Sequence, residues 1–238
     1  MVCFLTGSPV IPGTEMLNPA NSFTDELRRC FCSDCRTLFI CSDPDLYDKT
    51  DFFANATKEI FENAGFPFSS FCTLDSRIEH KAPELVKNSD LIILAGGHVP
   101  TQNRFFNRIG LRGLLKDYSG ILIGISAGSM NSAELVYAQP EREGEAVDPA
   151  YQRFLPGLGL TKTMLLPHYQ ENKDDILDGQ RVYEDIAFSD SYGRVIYVIP
   201  DGSYLYIRNG KEELRGEAYR ISEGKMSQIS RINDIVLL

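Results

Sequence analysis

Residues 121–130 read I-L-I-G-I-S-A-G-S-M, and they restrict the fold of this chain more than any other stretch. A run of aliphatic and β-branched residues without polar alternation suits a strand buried on both faces of a parallel sheet. The run then breaks into Gly124, Ser126, Ala127 and Gly128. Small residues permit a tight strand-to-helix turn that pushes one side chain out beyond the carboxyl end of the sheet. In the pattern G-x-S-x-G that side chain is Ser126, at the position of a nucleophile. The following helix aims its first N–H groups at the same point, which favours developing negative charge. A plainer reading makes Ser126 an ordinary helix N-cap after a buried strand. The stretch alone leaves the two readings level.

The rest of the chain supplies a sheet for that strand. Apolar runs at 2–6, 37–41, 68–74 and 91–95 predict four more strands. Helical spacing predicts helices from about 22 to 32, from 45 to 64, over 82–88 and over 101–109, with a further helical piece at 114–118. Phe53, Ile60 and Phe61 are expected on the apolar face of the second. Strands alternating with helices at this spacing predict an α/β fold, a mostly parallel sheet flanked by helices with right-handed crossovers. Sites in such sheets form at the carboxyl ends of the strands, where Gly97 and Ser126 both fall.

Beyond residue 130 the pattern changes. Residues 139–147 are polar and rich in Glu, as an exposed loop would be, and they leave the sheet just after the elbow, placed to fold over it. Residues 158–166 return to an apolar strand ending in Pro167-His168-Tyr169, and 174–187 predict a helix. Strands are expected at 194–199 and 203–208 around the turn Asp201-Gly202, then a hairpin at Asn209-Gly210 and a tail of short antiparallel strands. There is no internal repeat and no linker composition, so residues 1–238 are expected to form one domain.

Charge narrows the partners. The net charge of −9 argues against nucleic acid or an anionic membrane as the main partner. No apolar run is long enough to span a bilayer. The first residues carry neither the basic region nor the apolar core of a signal peptide, so a cytoplasmic protein is expected. Four of the six cysteines fall at Cys30, Cys32, Cys35 and Cys41. That spacing matches no standard zinc pattern, no histidine lies near, and reduced structural thiols are the expectation.

A serine nucleophile needs a base at neutral pH, and the chain has three histidines, His80, His98 and His168. His80 lies in a charged stretch. His98 ends a strand, but its Gly96-Gly97-His98 turn suits a different task, presenting backbone N–H groups to an oxyanion. His168 follows an apolar strand and is the expected base. The third member must accept a hydrogen bond from that histidine. Asp201 is the candidate, although Asp-Gly after a strand equally makes a hairpin turn. The order Ser, His, acid departs from the Ser, acid, His order of α/β-hydrolases.

Four pieces, L-I-I-L-A-G-G, I-L-I-G-I-S-A-G-S-M, L-L-P-H-Y and V-I-P-D-G-S-Y-L-Y-I, occur in one order along the chain. This set resembles the peptidase E family of serine peptidases, which includes aspartyl dipeptidases and, more distantly, cyanophycinases. The resemblance runs from Val2 to about Ile221. It implies a fold similar to class I glutamine amidotransferases (flavodoxin-like), with a C-terminal antiparallel extension. It implies Ser126 as nucleophile, His168 as base and Asp201 as acid, where the family usually carries glutamate. Typical dipeptidases also show a Gly-Gly-Gly-Asn run where this chain has Gly96-Gly97-His98-Val99-Pro100.

The function so implied is a serine peptidase hydrolysing short, dipeptide-like substrates through an acyl-enzyme. Oxyanion donors would be the N–H of Ala127 and one from the Gly97–His98 turn, with no metal and no organic cofactor. Two alternatives stay open: another serine-dependent amide or ester hydrolase using the same residues, and a non-catalytic ligand-binding domain of the same fold.

Overall fold

A computed structural model describes residues 1–238. Its five apolar runs form β1 (Val2–Thr6), β2 (Cys35–Ile40), β3 (Phe68–Leu74), β4 (Leu91–Leu94) and β5 (Ile121–Ile125). They lie side by side in the order β1-β5-β4-β2-β3, and each neighbouring pair is parallel. Between them run α1 (Phe23–Cys30), α2 (Tyr47–Asn63), α3 (Ala82–Asn88), α4 (Val99–Arg108) and α5 (Leu111–Leu114).

Side chains alternate across a strand, and here both faces are covered. Phe4, Phe39, Ile93 and Ile123 pack with Phe23 and Leu27 of α1 and Phe61 of α2. Cys3, Leu5, Leu38, Ile92 and Leu122 pack with Val86 of α3, Phe105 of α4 and Leu111 of α5. A strand covered twice has no polar face, which is why β1, β4 and β5 show no period of two, while β3 at the sheet edge leaves Ser69 and Ser70 exposed. Burying a Leu, Ile or Phe contributes about 1.5–3 kcal/mol, so this double cover holds the site's platform rigid. Phe53 departs from expectation: it is 49% exposed and contributes nothing to this core. It instead borders a cavity beside Ser126.

The second half of the chain begins with α6 (Ala127–Met130) directly after β5. The strands β6 (Leu135–Tyr137) and β7 (Phe154–Pro156) pair with each other. Then follow β8 (Met164–Leu166), α7 (Tyr169–Asn172), β9 (Ile176–Leu177), β10 (Gln180–Arg181), β11 (Val195–Val198), β12 (Tyr204–Arg208), β13 (Lys211–Arg215), β14 (Ala218–Ser222), β15 (Lys225–Ser230) and β16 (Ile235–Leu237). Antiparallel β12, β13 and β16 continue the large sheet beyond β1, giving eight strands. A separate four-stranded sheet has the order β15-β14-β11-β8. Asn209-Gly210 does turn a hairpin, with both residues at positive φ and Arg208 opposite Lys211.

Three expectations are corrected. Residues 174–187 are not one helix: β9 and β10 form a hairpin around Asp178-Gly179, and only Val182–Ala187 is helical, with a wide π turn. Both hairpin residues sit at positive φ, a turn that an Asp-Gly pair makes readily and a helix would not. The 158–166 strand shrinks to Met164–Leu166, because Gly159 at φ 74° breaks the extended run. The turn at Asp201-Gly202 joins no hairpin, since β11 and β12 belong to different sheets. It is a crossover, and its aspartate lies between the two layers. No helix is long and apolar enough to cross a membrane.

Candidate active site

Ser126 sits between β5 and α6 at φ 49°, ψ −112°. A non-glycine residue there stores about 1–3 kcal/mol of strain. The surroundings hold it: Ser126 N lies 2.9 Å from both Thr6 O and Gly7 O, and its own carbonyl accepts from Ser129 N at 2.9 Å and Met130 N at 3.0 Å. The flanking glycines serve close approach rather than unusual φ. A Cβ on Gly124 would come within 2.9 Å of the Ser129 backbone, and one on Gly128 would strike Leu94 O.

The Gly96–Gly97 turn at the end of β4 abuts this elbow. A Cβ on Gly96 would lie 3.3 Å from Ser126 Cβ. Gly97 has φ 150°, in a region open to glycine almost alone, and a side chain there would strike Ser42. The N–H groups of Gly97, His98 and Ala127 enter no turn or loop hydrogen bond. They are donors next to Ser126 without a partner of their own.

His168 ends β8 in the left-handed conformation at φ 62° and caps α7. Its Nδ1 lies 2.9 Å from Asp201 Oδ1, with side-chain exposures of 22% and 3%. The two atoms are close but not aligned as a hydrogen bond, and the contact becomes an ion pair when the ring is protonated. Asp201 is fixed from three sides. Its Oδ1 accepts from Ser8 N at 2.8 Å, its Oδ2 from Gln170 Nε2 at 2.7 Å, and its own N–H donates to Gln170 Oε1 at 2.9 Å. Burial favours the neutral imidazole, but Asp201, then Glu171 and Glu141, outweigh it and raise the His168 pKa. Ser126 and His168 line one cavity of about 510 Å³. No hydrogen bond joins them in this resting geometry, and such bonds tighten when substrate binds.

His98 faces elsewhere. Its Nδ1 contacts Thr101 Oγ1 and its Nε2 contacts Glu145 Oε1, each at 2.8 Å. Burial lowers its pKa, against the opposing pull of Glu145. Both ring nitrogens are therefore occupied, which leaves only its backbone free beside Ser126.

The loop 139–147 is exposed at 141–144 and Val147, as its composition predicts, and it is also tied down. Glu145 Oε2 accepts from the N–H groups of Glu141 at 2.9 Å and Arg142 at 3.0 Å while Oε1 holds His98. Asp178, at the β9–β10 turn, accepts from Gly144 N and Ala146 N at 2.8 and 3.0 Å. The loop becomes a strap across the elbow. Glu141 borders the cavity with His168, and Arg142 borders a second cavity of about 310 Å³, walled by Ser126, Gly96 and Gly97 and floored by Phe39 and Ile125. Glu141 as a residue is exposed, but protein crowding its carboxyl, with Glu145 nearby, pushes it up to about 7.

His168, Glu171 and Asp201 offer three ligand atoms within 4.8 Å of one another. Asp201 already has both oxygens engaged, so a cation would have to displace the contacts that hold it.

Sequence reasoning did not find Gly7, Ser8, Gln170 or Glu145. Gly7-Ser8 at the end of β1 was the one visible signal, because β1 lies next to β5. A Cβ on Gly7 would run into Asp201 Oδ1 and come within 3.5 Å of His168 Cε1. We expect Gly7→Ala to displace the acid and lower kcat about 10²-fold, the usual cost of an ångström of misplacement. Turnover near wild type in that variant would show that the acid's position is not critical.

The model of peptidase family S51 matches residues 3–215. A 1.5 Å crystal structure of a candidate peptidase E from Listeria monocytogenes EGD-e is similar over 96% of this chain and 98% of its own, at 18% identity and a TM-score of 0.61. At that identity the likeness speaks for the fold. No curated protein matches.

Proposed function

This chain belongs to peptidase family S51, and from that premise we propose that it hydrolyses short peptides with Ser126, His168 and Asp201 acting as a triad. Membership makes it a serine-type peptidase. The residue roles and the dipeptide-like substrate are our reading. One observation carries it: His168 Nδ1 stands 2.9 Å from buried Asp201 while its ring shares a cavity with Ser126.

In this mechanism Ser126 Oγ attacks the scissile carbonyl and passes its proton to His168 Nε2. Asp201 keeps the other proton on Nδ1 and stabilises the imidazolium. The N–H of Ala127, with that of Gly97 or His98, faces the tetrahedral oxyanion. His168 then gives its proton to the leaving amine. A water, deprotonated by the same nitrogen, releases the acid from Ser126. We read the parallel sheet with its elbow after β5 as the class I glutamine amidotransferase arrangement, and residues 1–238 as one domain. The six free thiols suit the cytoplasm.

The base must be neutral to act. Since Asp201, Glu171 and Glu141 raise the His168 pKa against burial, kcat/KM should climb with pH through a midpoint above the ordinary histidine value of about 6.5. Stability should run the other way. The protonated ring's contribution is full below about pH 6.5 and is lost as pH rises through the folded-state value. The direct experiment is cleavage of matched peptide and ester panels, with fluorophosphonate labelling of Ser126. Peptide cleavage with labelling at Ser126 is expected. Ester cleavage alone would replace the peptidase reading, and no labelling would remove it.

A further inference from the structure

Chemistry fixes which way a substrate lies across Ser126. His168 must protonate the leaving nitrogen, so the leaving half occupies the cavity that His168 lines. The carbonyl oxygen must face the Gly96–Gly97 turn, which walls the other cavity. This direction rests on the roles proposed for Ser126 and His168.

The leaving-group cavity is one-sided in charge. Glu141 and Asp175 border it, and no lysine or arginine does. Neither carboxylate has a side-chain hydrogen bond or an ion-pair partner, unlike Glu145 and Asp201 in the same neighbourhood. Glu171, with Oε2 3.9 Å from His168 Nδ1, adds to the negative field. Arg142, the residue after Glu141, borders the other cavity together with Lys49 and Asp43. Glu145 holds the backbone of both Glu141 and Arg142, so the strap sets opposite charges on the two sides of Ser126.

An acidic side chain on the leaving residue would meet those carboxylates with no lysine or arginine to receive it. We propose that Glu141, supported by Asp175, selects peptides whose leaving residue is cationic, lysine or arginine, and disfavours acidic leaving residues. Part-exposed charges facing one cation give a few-fold each, about tenfold together.

The test uses peptides with one common acyl residue and Lys, Leu or Glu as leaving residue, otherwise identical. Assays are run at about pH 8.5, where Glu141 is ionised. Wild type should rank Lys over Leu over Glu in kcat/KM, with about tenfold between the ends. Glu141→Gln should compress the Lys-to-Glu ratio, and Glu141→Lys should reverse it. A purely structural role for Glu141 would lower all peptides in parallel and leave the ratio unmoved, which would overturn the proposal. Equal rates for all leaving residues in wild type would also overturn it while leaving the triad reading intact. Cleavage of none would remove both.

Discussion

Ser126→Ala is expected to lower kcat on any cleaved peptide by about 10⁶-fold, the scale seen when a serine nucleophile is removed from such a triad. The fold should hardly notice. The elbow is built by backbone bonds to Thr6, Gly7, Ser129 and Met130, and Oγ makes no hydrogen bond in that scaffold. An alanine keeps the same backbone and the same strain at φ 49°, so unfolding free energy should stay within about 0.5 kcal/mol of wild type. Peptide cleavage and urea denaturation on one preparation separate the two effects. A variant that still cleaves would remove Ser126 from the chemistry.

The second large effect is expected at Asp201, catalytic in the proposed mechanism and structural by its contacts. Two donors hold this carboxylate, Ser8 N and Gln170 Nε2, and the ring nitrogen of His168 lies 2.9 Å from it. Asparagine has one oxygen, so in Asp201→Asn its amide N–H must face a donor on one side or the other. Flipping Gln170 to compensate would break its bond from Asp201 N. At 3% exposure water cannot repair the mismatch. Leaving such a group unsatisfied costs about 1–3 kcal/mol. Turnover should fall by about 10⁴, because the imidazole loses both its tautomer control and its counter-charge. The His168 pKa should drop as well, moving the acid limb of the pH–rate profile downward. From sequence alone this substitution looks silent if Asp201 is a hairpin residue, since Asn-Gly turns as well as Asp-Gly. An Asp201→Asn protein with wild-type turnover and melting temperature would return the residue to a turn role.

Asp201→Glu separates family habit from local fit. The resemblance implies that glutamate belongs at this position, but Oδ1 here abuts Gly7 so closely that a single added methyl on the glycine would collide. A longer acid has to shift the β1 end or the His168 ring.

Much of this was legible in the order of residues. Unbroken apolar runs identify β4 and β5, and nearly so β1, because a strand covered on both faces has no polar side, whereas β3, at the sheet edge, keeps exposed serines. Gly124, Ser126 and Gly128 mark the elbow because only small residues allow helix and strand to approach so closely. Asn209-Gly210 marks its hairpin because both positions need positive φ. Those signals are local, and each depends on the residue and its near neighbours.

What the tertiary structure alone decided is which distant groups meet. Asp201-Gly202 looks the same in sequence whether it closes a hairpin or crosses between sheets, and only the pairing of β11 with β14 and β12 with β1 distinguishes them. His168 is already the base preferred from sequence, but only the fold brings Glu145, 47 residues on, to the His98 ring. The strap of residues 139–147 reads as a solvated loop because its composition is polar, yet its carboxylate and backbone bonds reach His98 and Asp178. Hydrophobic pattern and turn propensity act over a few residues and leave their mark in the sequence. A hydrogen bond between side chains brought together by folding depends on the packing of whole layers, and it leaves none.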